Sequence, residues 1–408
     1  MDIRVKINKI RDIMNYNQGQ PVRDVLNYLF QNQTASRAQI YRGLAMRPGT
    51  VGEICDHLIR KEHICPADSD RQRNIRLKLN PEKYQAIGVE HMADGLIAMI
   101  LASDLSVKLQ KRIVIPKALD GQERLQRIVA EIDRLIQESH CGSALIGLGF
   151  CDIGMFDANR GRSIRAALLP GWDDMPVREK LEAKLKIPVS LSGKTDSWCV
   201  AEHKFGAAKE WETFVCVMVD QGIGLALMNN GKLIHGNHPV SGELGHVVCN
   251  PSGEICKCGS RGCLETIAGT DAIVGKVRAH MTAVDEREFG VQAAELSIEN
   301  VIQAAQKGHK LAETVLYEAA WAVGLSLARV LTVLGITNIV LAGRLTMAGE
   351  LFMEPMRRLL RQYCIYPLNT KLAVVSGDWD EWNGARGVAY RVLENYFQDG
   401  GMVGAEKS

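Results

Sequence analysis

One histidine and three cysteines lie within eighteen residues of each other, and this cluster constrains the fold more than any other feature of the sequence. Its members follow the spacing H-x9-C-x-C-x4-C and are His246, Cys256, Cys258 and Cys263. Three thiolates and one imidazole complete the tetrahedral coordination of a structural zinc ion and leave no position for water. Gly259 and Gly262 permit the tight turns that bring the sulfurs together. We therefore predict a structural Zn²⁺ site that stabilises the fold and carries no chemistry.

The same thiols could instead form a disulfide or remain unpaired and buried, and Cys249 is a possible substitute ligand nearby in the sequence. The eleven cysteines are odd in number and otherwise scattered. The opening residues MDIRVKINKI are charged throughout and lack the pattern of a secretory signal peptide. We therefore expect a reducing compartment and a cytoplasmic location.

The length of 408 residues exceeds a single hydrophobic core and predicts two or three domains. The most apolar stretch is Ala319–Ala342, which Arg329 and Asn338 interrupt and which contains Gly335. This stretch is predicted to be a buried helix, a glycine stop and a strand, because these residues interrupt what would otherwise be a membrane span.

Charge is distributed unevenly along the chain. Residues 1–80 carry a net charge of +6, and the remainder carries −4. A basic N-terminal segment followed by an acidic remainder is typical of a protein with an added nucleic-acid-binding domain. A solvated basic surface has the same composition, so charge alone does not decide between them.

The first 82 residues have the pattern of a winged helix-turn-helix domain. A helix over Pro21–Phe30 carries its apolar residues on one face. Ser36 and Gln39 form a capping-box pattern at the start of a second helix, and Pro48 suits the first position of a third. The segment Glu62–Leu79 then has the pattern of a small hairpin, the wing.

If this domain reads DNA, base contacts come from the first turn of the third helix and further contacts from the wing. The predicted DNA-binding residues are Arg47, Pro48, Gly49, Thr50, Glu53, Arg71 and Arg73. Arginines suit phosphates or a minor groove, and a glutamate in the major groove can accept from a cytosine amine. A helical protein-interaction module of the same shape is the alternative interpretation.

A glycine-rich turn lies upstream of the cysteines. The apolar run Phe214–Val219 leads into Asp220–Gly224, and Asn229–Gly231 has the sequence of a hairpin turn. Glycines at such a turn can bring backbone amides close to a phosphate, although a tight turn needs no ligand.

In sequence order, the segment Val217–Glu265 resembles the ROK family (repressors, open reading frames and sugar kinases). The matching features are the glycine turn, the hairpin Gly231–Leu233, Gly236, the GELGH box and the CxCGxxGCLE box. The winged helix followed by LKLNPEKYQAIGVE is similar to the repressor branch, whose members respond to glucose or N-acetylglucosamine.

This resemblance implies an α/β, actin-like (ribonuclease H-like) domain of two lobes over residues 83–398, with a flexible tail over 399–408. It also implies a sugar cleft between the lobes, where Glu243, His246 and Glu265 face sugar hydroxyls and His246 also contacts the zinc. Support of the metal is the alternative role for the two glutamates. A homodimer or tetramer reading a palindromic double-stranded DNA operator is implied as well.

Several departures from the family pattern argue against phosphoryl transfer. Family kinases have Asp-x-Gly-Gly-Thr after the first strand, where this chain has His91–Gly95 following Glu90. One glycine of the second phosphate loop is replaced in Asp220–Leu225. Counting back from Glu202, Lys194 stands where the kinases have their aspartate base, and a lysine cation cannot accept a proton.

Asp196 could replace that base only in a reshaped loop. Leu168 stands where the family has a sugar-contacting asparagine, and Cys151–Asp152 replaces a Pro-Gly pair. With these contacts to a conventional hexose missing, the effector is expected to be an altered sugar, a sugar phosphate, or none.

These observations together predict a DNA-binding transcription regulator, a repressor of carbohydrate uptake or metabolism genes, and no enzyme. Its degenerate kinase cleft would respond to a sugar-like effector or to capture by a sugar-transporter domain. The alternatives are a ROK-type sugar kinase with a DNA-binding appendage and a protein-interaction scaffold that uses neither DNA nor ligand.

Overall fold

The computed structural model describes residues 19–67, 75–166, 168–238, 240–377 and 379–399. The described chain forms two compact units. Residues up to Lys194 and from Gly384 onward make the first unit, and Thr195–Asn383 make the second. The last helix therefore belongs to the same unit as the first.

The first unit begins with three helices and a small antiparallel sheet. The helices are α1 (Gly19–Asn32), α2 (Arg37–Gly43) and α3 (Pro48–Arg60), and the strands are β1 (Ala35–Ser36), β2 (Ile64–Pro66) and β3 (Arg76–Leu79). Ser36 and Gln39 form the predicted capping box, and Pro48 is the first residue of α3. Strands β2 and β3 pair as the predicted hairpin, with Ile64 opposite Leu79. The tip of this hairpin, with Arg71 and Arg73, lies outside the described residues.

The rest of the first unit is an α/β layer. Its strands are β4 (Gln85–Met92), β5 (Gly95–Ala102), β6 (Val107–Val114), β7 (Leu145–Asp152), β8 (Met155–Asp157), β9 (Arg162–Arg165), β10 (Asp173–Met175) and β11 (Val189–Gly193). The main sheet has the order β11-β7-β4-β5-β6, in which β11, β7 and β4 are parallel and β4, β5 and β6 form an antiparallel meander. Apolar residues of helices α4 (Gly121–Ser139) and α5 (Val177–Leu185) complete its core.

The second unit contains another five-stranded sheet. Its strands are β12 (Phe214–Val219), β13 (Ile223–Asn229), β14 (Lys232–Ile234), β15 (Asn338–Ala342) and β16 (Ala373–Ser376), in the order β14-β13-β12-β15-β16. The predicted glycine turn joins β12 to β13. Asn230 and Gly231 both have positive φ between β13 and β14, which is the backbone of the predicted two-residue hairpin.

Seven helices follow or flank these strands in the described chain. They are α6 (Lys194–Lys204), α7 (Glu265–Ala268), α8 (Thr270–His280), α9 (Ala283–Phe289), α10 (Ile298–Gln306), α11 (Lys310–Leu334) and α12 (Glu350–Tyr363). By length and composition α11 could span a membrane, but 61% of its most apolar window is buried inside the protein. Gly335 ends α11 and β15 follows, so the predicted order of helix, glycine stop and strand is confirmed.

The last helix, α13 (Asn383–Asp399), packs against both the sheet and helix α1 of the first unit. Gly88 of β4 permits this approach, because a Cβ there would lie 1.9 Å from the carbonyl oxygen of Ala385. The ring of Phe397 lies 5.0 Å from that of Phe30 and 5.1 Å from that of Tyr84. An aromatic core therefore connects α1, the start of β4 and α13.

Candidate functional site

The predicted zinc ligands come together in space. The ligand atoms of His246, Cys256, Cys258 and Cys263 all lie within 4.8 Å of one another. Cys256 Sγ is 3.6 Å from His246 Nδ1, and Cys258 Sγ is 3.7 Å from Cys263 Sγ. A tetrahedral zinc with Zn–S bonds of about 2.3 Å and a Zn–N bond of about 2.0 Å separates its ligands by roughly 3.5 to 3.8 Å. The four residues therefore fit this ion.

The loop that presents the cysteines is fixed by its backbone. Bridges between Val248 and Cys263 and between Ile255 and Arg261 fold it back on itself. Gly262 has a φ of 73°, and a Cβ there would lie 1.6 Å from the carbonyl oxygen of Asn250, so a larger residue would break the loop. The close approach explains the glycine that the sequence places before the last cysteine.

Two further thiol observations bear on the site. The backbone amide of Ser260 donates to the sulfur of Cys258 and lowers the pKa of this thiol to about 7, which favours the thiolate that binds metals. Cys249 Sγ instead lies 2.9 Å from the hydroxyl of Ser326 and is not a member of the cluster. Cys249 therefore does not occupy the position of a substitute zinc ligand, although its place in the sequence allowed this.

The two predicted sugar-binding glutamates lie beside this cluster. Glu243 Oε2 is 3.8 Å from His246 Nε2, which is longer than a direct hydrogen bond. Glu265 Oε2 lies 3.4 Å from where a Cβ of Gly222 would be and 3.3 Å from that of Gly245. The Glu265 carboxylate thus borders both the glycine turn and the GELGH segment. Burial raises the pKa of Glu243, and the charges of Glu265 and Asp196 raise it further against the opposing effect of His246.

His235 is a polar neighbour that the sequence did not single out. Its Nε2 lies 2.8 Å from Oδ2 of Asp196, in the first turn of α6. The only sequence signal was its position directly before Gly236 of the family pattern. The second unit therefore brings together the carboxylates of Asp196, Glu243 and Glu265 with the two imidazoles, a set of acceptors suited to hydroxyl-rich ligands.

Family kinases have their first phosphate loop directly after the first strand. At this position, which begins at His91, the present chain has a network of buried side chains. Strand β4 continues through His91 to Met92, beyond the end at Glu90 expected from the sequence. His91 Nδ1 lies 3.2 Å from Asp152 Oδ1, and Arg124 Nε donates to His91 Nε2 at 2.9 Å. Burial lowers the pKa of His91 against the opposing effect of Asp152, so the neutral ring can accept from Arg124. Trp172 Nε1 donates to Asp152 at 3.2 Å and completes the network.

Charged pairs occupy the other two positions of the kinase pattern. Lys194 Nζ, where family kinases have the base, is 3.5 Å from Oε1 of the buried Glu90. Arg344 Nε, from the segment after β15, donates to Oδ1 of buried Asp220 at 2.6 Å. A lysine held beside a carboxylate is a cation and cannot act as a general base. Asp220 and Arg344 thus form an ion pair at the start of the glycine turn, with the carboxylate buried.

The N-terminal residues predicted to contact DNA are placed at the start of α3. Arg47 is the N-cap residue, Pro48 and Gly49 follow it in the first turn, and all three are exposed. Thr50 is partly buried and Glu53 is exposed. On the arm of the hairpin, Lys78 Nζ lies 3.2 Å from Asp104 and Arg76 donates to the carbonyl of Thr34, so the protein itself engages both of these cations.

The chain is similar in sequence to known repressors and to a sugar kinase. The ROK family model matches residues 87–395. A xylose repressor from Caldicellulosiruptor bescii is 23% identical over 346 residues, which cover 83% of this chain and 86% of that protein. The DNA-binding transcriptional dual regulator NagC of Escherichia coli is 26% identical over 370 residues, covering 88% of this chain and 89% of NagC. A glucokinase from Halalkalibacterium halodurans is 27% identical over 281 residues, covering 64% of this chain and 84% of that enzyme.

Among solved structures, a ROK family transcriptional regulator described as a homologue of the Escherichia coli Mlc protein superposes with a TM-score of 0.79 at 20% identity. The superposition covers 94% of this chain and 98% of that one. A ROK family glucokinase from Streptomyces griseus superposes with a TM-score of 0.66 at 22% identity, over 75% of this chain and 98% of that one. The α/β fold is therefore the actin-like sugar-kinase fold. Because the family model matches residues 87–395, which are most of the sequence, the chain belongs to the ROK family.

Proposed function

We propose that this protein is a DNA-binding transcription regulator, a repressor of genes for sugar uptake or metabolism. The proposal rests on one observation in the kinase-like domain: the position of the catalytic base is occupied by Lys194, which is paired with Glu90. The domain before it presents the exposed first turn of α3. The similarity to a xylose repressor and to NagC, each over most of both chains, supports this function.

In this proposal residues 1–82 are a winged helix-turn-helix domain, residues 83–398 respond to the effector and form the oligomer, and 399–408 are a tail. The first turn of α3 enters the major groove, and the hairpin β2–β3 is the wing. A homodimer or tetramer would present two such helices to a palindromic operator, since a two-fold protein binds a two-fold site. A cytoplasmic location follows from this role.

The second unit supplies the proposed sensor. His246, Cys256, Cys258 and Cys263 would hold Zn²⁺, which stabilises the cysteine loop and leaves no open position for catalysis. Glu243, His246 and Glu265 would contact the hydroxyls of a sugar or sugar-phosphate effector, or the protein would be captured by a transporter domain. An effector changes the affinity for DNA only if it binds one conformation of the protein more tightly than the other.

The experiment that tests this function is a mobility shift with the full-length protein and the promoter region of its own gene. Arg47→Ala removes one contact to DNA and is expected to weaken specific binding roughly 5- to 100-fold. Arg287→Ala, an exposed arginine of α9 in the second unit, is the matched control and should bind as wild type. Absence of any specific shift by the wild-type protein would contradict the proposal.

The second candidate function is a sugar kinase, and the pairing of Asp196 with His235 favours it. An aspartate 2.8 Å from an imidazole could accept a proton from a sugar hydroxyl, and a glucokinase is among the relatives. Release of ADP over a panel of hexoses and amino sugars separates the two functions. We expect no release above background, whereas release that Asp196→Asn abolishes would establish the kinase.

A further inference from the structure

The outward face of α3 is formed by five residues. Taking 100° per residue, Gly49, Gly52, Glu53, Asp56 and Arg60 fall within an arc of about 100°. This arc lies opposite the four residues that α3 buries, which are Val51, Ile54, Cys55 and Leu58. The outward face is therefore the one that a molecule docking on the helix would meet.

The two glycines on this face have no explanation inside the protein. A Cβ added to Gly49 or to Gly52 would meet no atom within 4 Å. Glycine destabilises a helix relative to alanine, so a helical glycine without a packing reason carries a cost that the fold itself does not require. Their bare backbone does allow an outside molecule to come closer to the helix axis than any side chain would permit.

Cations lie at the two ends of α3, and acids lie between them. Arg47 precedes the helix and Arg60 ends it, roughly 20 Å apart at the helical rise of about 1.5 Å per residue. Asp56 is bonded to Arg37 of α2, at 2.5 Å. Glu53, between the two ends, forms no ion pair with any described residue, so its carboxylate is available to an outside donor. In a DNA groove, cations at the ends would suit the phosphates on either side, and the acid between them would face the base edges.

We propose that Glu53 reads one cytosine in each half of the operator, and that Gly49 and Gly52 let the helix approach closely enough for this contact. The inference rests on the proposed DNA-binding function. In the major groove guanine presents the acceptors O6 and N7 and thymine presents O4, and these repel a carboxylate. Adenine has an acceptor beside its amine, whereas the cytosine N4 amine is a donor that a glutamate can accept from.

The test is selection of DNA sites from a random library by the full-length protein, followed by sequencing. Wild type should enrich a two-fold motif with a fixed cytosine in each half. Glu53→Gln keeps the size of the side chain and can donate as well as accept, so the preference at that one position should shift to adenine. Its affinity for the wild-type motif should fall roughly 5- to 100-fold. Glu123→Gln makes the same change at an exposed acid of α4, away from this face, and should enrich the wild-type motif.

A second pair of variants tests the close approach independently of base chemistry. Gly52→Ala and Gly275→Ala each add a methyl group to a helix at a position with nothing within 4 Å, and Gly275 lies in α8 of the second unit. Both should raise the melting temperature, because alanine favours helix. Only Gly52→Ala should weaken DNA binding, by about tenfold or more.

The outcomes separate this inference from the function on which it rests. If wild type enriches no sequence, the proposed DNA-reading function fails. If wild type enriches a motif and Glu53→Gln enriches the same motif with the same base preference, Glu53 is not the reading residue although the function stands. If Gly52→Ala binds DNA as tightly as Gly275→Ala does, the close approach is wrong.

Discussion

The ring of Phe30, in the first helix, packs against the ring of Phe397, in the last helix, with the two centroids 5.0 Å apart. Tyr390 and Tyr84 extend the contact, at 5.5 Å from Phe30 and 5.1 Å from Phe397. Both phenylalanines are buried. The first helix of the domain proposed to bind DNA thus shares an aromatic core with the last helix and with Tyr84, which precedes β4.

Removing this contact should destabilise the first unit. Phe397→Ala leaves a cavity between α1 and α13, and we expect the free energy of unfolding to fall by about 3–5 kcal/mol in urea denaturation. Tyr363→Ala truncates an aromatic ring that is 48% exposed and should change stability by no more than about 0.5 kcal/mol. Equal losses for the two variants would contradict the assignment of Phe397 to the core.

The zinc proposal predicts about one zinc ion per chain in the purified protein, measured by mass spectrometry of the metal. Cys263→Ser removes a proposed ligand and should lower both the zinc content and the melting temperature. Cys249→Ser alters a thiol bonded to Ser326 and should retain the zinc. Protein that contains no zinc, or that loses it only in Cys249→Ser, would refute the ligand set.

Acid should destabilise the protein through His63. Burial, with the charges of Lys83 and its neighbours, lowers the pKa of His63 from 6.5 to about 4. The unfolded chain therefore binds more protons between these pH values, so the stability present above pH 6.5 is lost as the pH falls towards 4. Complete protonation of His63 should lower the free energy of unfolding by roughly 3 kcal/mol. Between pH 7 and pH 4.5, the free energy of unfolding measured in denaturant should fall less for His63→Gln than for wild type. Equal decreases in the two proteins would exclude His63 as the cause.

The pair of Asp220 with Arg344 should stabilise the second unit as a coupled contact. Arg344→Ala removes the guanidinium that donates to the buried carboxylate of Asp220 and should cost about 2–4 kcal/mol. A cycle with Asp220→Ala and the double variant should give a coupling energy of about 1–3 kcal/mol. Additive losses would mean that the two residues do not act together.

Much of the fold was predictable because its signals are local. The capping box at Ser36, the proline at the start of α3 and the stop at Gly335 each follow from backbone chemistry within one turn of helix. The ligand cluster was predictable for a similar reason, since three of its four members lie within eight residues of each other.

The contacts that the sequence did not reveal join distant segments. His91, Arg124 and Asp152 come from β4, α4 and β7, and no spacing in the chain connects them. The pair of Asp220 with Arg344 spans 124 residues. Lys78 of the wing is likewise bound by Asp104, which lies outside the wing and 26 residues further along the chain. Which charges neutralise each other depends on the tertiary packing of these elements.

The meeting of Phe30 and Phe397 also has a consequence for synthesis on the ribosome. The first helix leaves the exit tunnel early, but its packing partner is translated almost 370 residues later. Until then the apolar face of α1 lacks the ring that covers it. A polypeptide ended by a late stop codon, or trimmed by a protease at its last helix, would retain every proposed DNA-contacting residue and yet lose the support on which those residues rest.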